Sequence, residues 1–82
     1  MLTIELCGKL ADMSAREIKV SIPPAGVTIV ELRRKVATAH PALAQLISSP
    51  RVRVCVNDAI VDDDDWTRIG DRVAFFPPVS GG

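Results

Sequence analysis

Apolar side chains in this chain recur at every second position in four short runs, and at helical spacing in one longer stretch. Leu2, Ile4 and Leu6 alternate with Thr3, Glu5 and Cys7. Ile18, Val20 and Ile22 alternate with Glu17, Lys19 and Ser21, and Val52, Val54 and Val56 with Arg53 and Cys55. In the last run, from Arg72 to Phe76, Val73 and Phe75 share one face while Ala74 and Phe76 share the other. Period-two alternation sends one set of side chains to a core and the other outward, which is the pattern of half-buried strands. The helical stretch begins at Thr28. Glu31 follows three residues later, as a capping box requires. Ile29, Leu32 and Val36 then mark one face, with Glu31, Arg34, Lys35 and Thr38 on the other. Glu31 and Lys35 are spaced for an i,i+4 ion pair. Pro41 ends the helix near His40, because it disfavours helical geometry in the residue before it.

The connections are short. Gly8 to Arg16 is polar and reads as a link between the first two strands, which suggests a hairpin. Pro23-Pro24-Ala25-Gly26 stops the second strand. Ala42 to Ile47 allows one more turn of helix, with Leu43, Leu46 and Ile47 facing the core, and Ser48-Ser49-Pro50 is a loop. Asn57-Asp58 is turn chemistry, and Ile60-Val61 a short fourth strand. Asp62 to Ile69 is a polar crossing anchored by Trp66 and Ile69, and Gly70-Asp71 turns into the last strand. The order strand, strand, helix, strand, strand, strand predicts an α+β fold of the β-grasp type. Its mixed sheet has about five strands, with one main helix packed on one face. Right-handed crossovers make the first and last strands parallel neighbours at the sheet centre. Residues 1–76 form the domain, and residues 77–82 leave it as a flexible tail.

Composition narrows the function. Ten Lys and Arg balance ten Asp and Glu, which argues against a nucleic-acid binder. No apolar run approaches the roughly 18 residues of a membrane span, and Met1 to Glu5 lacks the features of a signal peptide. Cys7 and Cys55 have no CxxC spacing and read as free thiols of a cytoplasmic protein. The single histidine, His40, builds neither a metal site nor a catalytic triad. Asp62-Asp63-Asp64-Asp65 lacks the alternation, the central Gly and the final Glu of a calcium loop, so no metal is expected. A chain of 82 residues also leaves little room for a deep catalytic pocket.

The most informative residues are Val73-Ala74-Phe75-Phe76-Pro77-Pro78-Val79-Ser80-Gly81-Gly82. Two glycines lack Cβ atoms and can thread a narrow tunnel, while two prolines stiffen the approach to it. Extended, residues 77–82 reach roughly 20 Å. With the hydrophobic first strand, Asn57 and Gly70-Asp71, this ending resembles the ubiquitin-like sulfur-carrier family that includes the small subunits of molybdopterin synthase. One residue departs from the family pattern: Thr67 stands three positions before Gly70-Asp71, where an apolar residue is common.

The resemblance implies a chemistry centred on Gly82, with Gly81 beside it. The chain itself would bind no cofactor. An ATP-dependent adenylyltransferase of the ubiquitin-activating type would convert the Gly82 carboxylate to an acyl adenylate. A sulfur-donor protein would then supply persulfide sulfur, displacing AMP and leaving a thiocarboxylate (1-thioglycine). The large catalytic subunit of molybdopterin synthase would receive the tail, in a heterotetramer, and the sulfur would pass to precursor Z (cyclic pyranopterin monophosphate). Thiamine synthesis, tRNA thiolation and ubiquitin-like protein modification are the alternatives. Phe76 is the expected docking anchor, on the outer face with Cys7 and Ala74, while Pro77, Pro78, Val79 and Ser80 would bind the partner along the tail. Arg51, Arg53, Arg68 and Arg72 are available as a basic strip or as ordinary surface charge. Neither cysteine has a neighbouring base that would make it a nucleophile.

Overall fold

The computed structural model describes residues 1–77. Its chain order is β1 (Leu2–Leu6), α1 (Lys9–Met13), β2 (Glu17–Val20), β3 (Val27–Thr28) and α2 (Ile29–Ala39). A 3-10 turn (Pro41–Leu43) leads into α3 (Ala44–Ile47), followed by β4 (Arg53–Val56), β5 (Ala59–Val61), β6 (Trp66–Thr67) and β7 (Val73–Phe76). Five strands form one mixed sheet in the order β2-β1-β7-β4-β5. β1 and β7 run parallel at its centre, with Ile4 opposite Val73 and Leu6 opposite Phe75. β4 closes the other side of β7 in antiparallel register, Val54 facing Phe75. This is the β-grasp arrangement that the element order implies.

The alternating residues sort as expected. Leu2, Ile4 and Leu6 are buried while Thr3 and Glu5 are exposed. The inward residues meet Ile29, Leu32 and Val36 of α2 in one continuous core that also holds Val54, Val73 and Phe75. Leu43 and Ile47 enter the same core, with Leu46 packed against its margin. The helix cap differs from the sequence expectation in detail. The Thr28 side chain accepts the N–H of Glu31 at 3.4 Å, but the Glu31 carboxylate turns back to the Thr28 hydroxyl rather than forward to Lys35. No Glu31–Lys35 ion pair forms among the described residues. The remaining first-turn N–H groups, of Ile29 and Val30, donate to the main-chain carbonyls of Asp65 and Asp63. The four-aspartate run therefore caps α2 through its backbone.

Three features lie outside the sequence reading. The link from Gly8 to Arg16 contains α1, a single turn that plugs the sheet end with the fully buried Leu10. A helix of five residues spans too little sequence to show a period. β3 and β6 form a separate two-stranded ladder, with Val27 opposite Thr67 and Thr28 opposite Trp66. That register corrects the assignment of Trp66 and Ile69 as apolar anchors. Thr67 is the inward residue, at 1% exposure, whereas Trp66 is 60% exposed and Ile69 is half exposed.

Arg33 is the third. It is buried, and its guanidinium holds loop backbone in place. It donates to the carbonyls of Ile47 at 2.9 Å, Ser49 at 3.1 Å and Val52 at 2.7 Å. Its Nε pairs with the Asp63 carboxylate at 2.9 Å. One planar fork thus ties α2 to the strand entry after α3 and to the aspartate loop.

Two substitutions test this packing by denaturant unfolding. Leu32→Ala is expected to cost about 2–5 kcal/mol, as a large-to-small change in a filled core. Arg33→Ala is expected to cost at least about 2 kcal/mol, because it leaves buried carbonyls without donors. Losses within surface-mutation noise would contradict the assigned helix face and the arginine latch respectively.

Candidate functional site

The strand at the sheet centre also carries the chain toward its C-terminus. In β7, Phe75 is fully buried beneath α2, while Phe76 points to the opposite face and is 38% exposed. The two successive phenylalanines therefore do different work: one holds the strand in the core and the other faces out. The N–H of Cys7 donates to the Phe75 carbonyl at 3.1 Å, which extends the β1–β7 ladder and sets Cys7 beside Phe76. Ala74 lies between Glu5 on one side and Cys55 on the other. The structure thus brings Phe76, Ala74 and Cys7 together on the outer face. Pro77 continues from β7 over Gly8, where an added Cβ would meet the Pro77 ring at 3.2 Å. Gly8 has φ +55°, a left-handed value that suits glycine, so the turn into α1 and the seat of Pro77 share one residue. Pro78, Val79, Ser80, Gly81 and Gly82 lie outside the described residues.

Two further residues belong to the same patch: Cys55, outward as its strand parity implies, and Ile60, whose side the sequence reading left open. Cys55 pairs with Ile60 across the β4–β5 hairpin, and Ile60 is 64% exposed. The parity of Cys55, followed through the hairpin register, is the signal that would have placed Ile60 there. The patch has polar margins: Arg53 lies opposite Phe76 and Glu5 opposite Ala74. Cys7 is half-buried and its thiol is pushed up by burial, with further contributions from Glu5 and Cys55. It stays protonated near neutrality and acts as an apolar filler. The two thiols cannot pair across the intervening β7, since two strand spacings are about 9.5 Å and a disulfide needs Cα atoms within about 7 Å.

A polar network fixes where β7 begins. Asn57 and Asp58 have φ of 51° and 71°, the left-handed pair of a two-residue hairpin turn. The Asn57 side chain accepts the Arg72 N–H at 2.9 Å and donates to the Asp71 carboxylate at 3.2 Å, while its own N–H donates to the Arg72 carbonyl. The other Asp71 oxygen accepts the Arg68 N–H at 2.9 Å and the Thr67 hydroxyl at 3.0 Å. This last bond accounts for Thr67: a hydroxyl replaces apolar packing at a buried position and finds its acceptor. The Arg68 N–H, more than any other group, holds the Asp71 carboxyl below its ordinary range, with Asn57, Thr67 and the Arg68 charge adding to it against the cost of burial. Of the proposed basic strip, Arg72 is paired with Asp58. No set of three or more His, Cys, Asp or Glu side chains among the described residues is arranged to hold a metal ion. No described helix is long and apolar enough to cross a membrane.

A small β-grasp domain whose central strand presents an apolar outer patch and then runs out toward the C-terminus is a ubiquitin-like protein. Residues 4–82 match the ThiS family. Over 74 residues the chain is 32% identical to the molybdopterin synthase sulfur carrier subunit of Escherichia coli, spanning 90% of this chain and 86% of that one. The chain belongs to the ThiS family. Its fold is also similar to that of SAMP1, a small archaeal modifier protein from Haloferax volcanii, with a TM-score of 0.82 at 27% identity over 99% of this chain and 98% of that one. A protein complex of subunits 1 and 2 of the molybdopterin-converting factor from Helicobacter pylori contains the same fold. That match has a TM-score of 0.66 at 18% identity and covers 99% of this chain and 97% of the other.

The Asp71 network has a pH signature. Its carboxyl is depressed in the folded chain, so it stabilises the fold above its ordinary pKa and loses that contribution as pH falls through the folded value. Asp71→Asn is expected to cost about 1 kcal/mol at neutral pH. The gap between variant and parent should close as pH falls below about 4. A gap that stays constant into acid would contradict the charge-dependent bonds.

Proposed function

We propose that this chain is the sulfur-carrying small subunit of a molybdopterin synthase, and that its chemistry is confined to the Gly82 carboxylate. The observation that supports this best is the outer patch around Phe76, on the strand that leads into Gly81-Gly82. The large catalytic subunit would cover that patch and receive the tail. The similarity to the E. coli carrier and to the Helicobacter pylori complex points to the same partner class. We assign the pair to a heterotetramer in the cytoplasm.

The chemistry follows from the functional group. A carboxylate is a poor acyl donor, since oxide is a poor leaving group. Reaction of the Gly82 carboxylate with ATP on an adenylyltransferase of the ubiquitin-activating type forms an acyl adenylate and releases pyrophosphate. A persulfide sulfur on a donor protein then attacks the carbonyl carbon, and AMP departs with the bonding pair. Reductive cleavage of the S–S bond by a thiol leaves the thiocarboxylate on Gly82. Its sulfur is soft, anionic and nucleophilic, and it adds to precursor Z in the large subunit. Hydrolysis of the resulting acyl-sulfur link leaves sulfur on the pterin and regenerates the Gly82 carboxylate. Two such deliveries make one dithiolene, so the carrier must be exchanged or recharged between them. Among the described residues this chain contributes docking and positioning.

The likeness to SAMP1 favours one second assignment, a ubiquitin-like modifier. The same adenylate would then pass to a lysine amine, giving an isopeptide rather than a thiocarboxylate.

Two variants test the proposal. Phe76→Ala is expected to weaken binding to the large subunit by at least about 1–2 kcal/mol while the monomer stays folded. Unchanged affinity would remove Phe76 as an anchor. Deleting Gly82 is expected to preserve folding and docking but abolish sulfur transfer, because the new terminus falls about 3.3–3.6 Å short, well beyond near-attack tolerance. Sulfur transfer by the deletion variant at the parent rate would overturn the assignment.

A further inference from the structure

A second surface lies at the sheet edge farthest from β5. β2 is the terminal strand of the sheet, and no strand among the described residues covers its outer side. Its ladder shows which main-chain groups are free. The Leu6 N–H donates to the Arg16 carbonyl at 2.8 Å, and the register continues with Glu5 opposite Glu17, Ile4 opposite Ile18 and Thr3 opposite Lys19. Hydrogen-bonded and non-bonded pairs alternate along an antiparallel ladder. Ile18 and Val20 therefore bond to β1, while the N–H and C=O of Glu17 and Lys19 point to the open edge. The edge from Lys19 to Ser21, with Arg34, Lys35 and Thr38 of α2, lines a groove of about 540 Å³. No lining residue is acidic, and Lys19, Arg34 and Lys35 enter no ion pair among the described residues.

We propose that the β2 edge and the Arg34–Lys35 face of α2 form a second docking site, which takes an acidic, extended peptide segment as an added strand. Main-chain groups at Lys19 supply the ladder bonds. Side chains of the added strand alternate between two faces. On the helix side they meet Arg34, Lys35 and Thr38, and on the outer side Lys19, so acidic residues of either parity find a cation. Glu17 carries the opposite charge at the other end of the edge, which favours acidic residues near Lys19. A second copy of this chain fits poorly, because its β2 edge would bring the same cations against these.

The groove also stands clear of the tail. β7 is parallel to β1, so the chain leaves the sheet at the Leu6 end, while Lys19 lies opposite Thr3 near the other end. A partner held there leaves Phe76 and the tail open to the large subunit. The site thus suits an acidic segment of a protein that must hold the carrier while its terminus reacts elsewhere.

The test is a titration of the full chain, at low salt, with an acetylated and amidated heptapeptide alternating Val and Asp. Strand addition predicts that amide exchange at Lys19 slows about tenfold while Ile18 and Val20, already bonded to β1, stay unchanged. Replacing Asp by Asn in the peptide, or combining Arg34→Glu with Lys35→Glu, is expected to weaken binding at least about tenfold. Arg34→Gln with Lys35→Gln gives an intermediate loss and guards against misfolding of the charge reversal. Sulfur loading at Gly82 is expected to be unchanged in both double variants. Binding without protection of Lys19, equal affinity for the Asn peptide, or no binding at millimolar peptide would overturn the proposal. Inorganic triphosphate competing equally well without protecting Lys19 would also overturn it, reassigning the groove to small anions.

Discussion

Everything that positions Phe76 and Pro77 rests on the parallel pairing of β1 with β7 at the centre of the sheet. A central strand has its hydrogen bonds met on both sides, here by β1 and β4. Its register cannot slip without exchanging the two faces, because the side-chain period is two. Phe75 makes that exchange costly: it is fully buried under α2, and a one-residue shift would expose it and bury Phe76. The aromatic pair therefore locks the strand that carries the tail. The Asn57–Asp71–Thr67 network sets the other end of the same strand, so β7 is held at its start by polar bonds and along its length by packing.

This architecture separates stability from chemistry. Among the described residues the core ends at Phe75, and the group proposed to react, the Gly82 carboxylate, follows it in sequence. In the proposed function, docking, adenylation and sulfur delivery make different demands on one terminus, and the β-grasp domain supplies the docking patch around Phe76. The open β2 edge adds a second surface that does not compete with the first, because strand direction sends the tail out at one end of β1 and leaves Lys19 near the other.

Most of this is legible in the sequence where periodicity is strong. Alternation in residues 2–7 and 73–76 suffices to place Ile4 and Phe75 inside and Phe76 outside. It fails where an element is too short to have a period, as in α1, or where two residues form a ladder with a distant pair, as in β3 and β6. Trp66 shows the second case: hydrophobicity suggests an anchor, but pairing with Thr28 turns it outward and gives the inner position to Thr67. Arg33 is invisible to the pattern because charge usually marks an exposed helix face. Only the fold brings the carbonyls of Ile47, Ser49 and Val52 to one guanidinium.

The central claim is that the Gly82 carboxylate accepts and delivers sulfur. Its most direct test is the intact mass of the purified chain after incubation with the adenylyltransferase, ATP and a persulfide-bearing donor, followed by fragmentation of the product. A sulfur carrier must gain the mass difference of one oxygen replaced by sulfur, located on Gly82 and lost again on addition of the large subunit with precursor Z. An unchanged mass under conditions that consume ATP, or a mass gain located on Cys7 or Cys55 instead, would contradict the assignment.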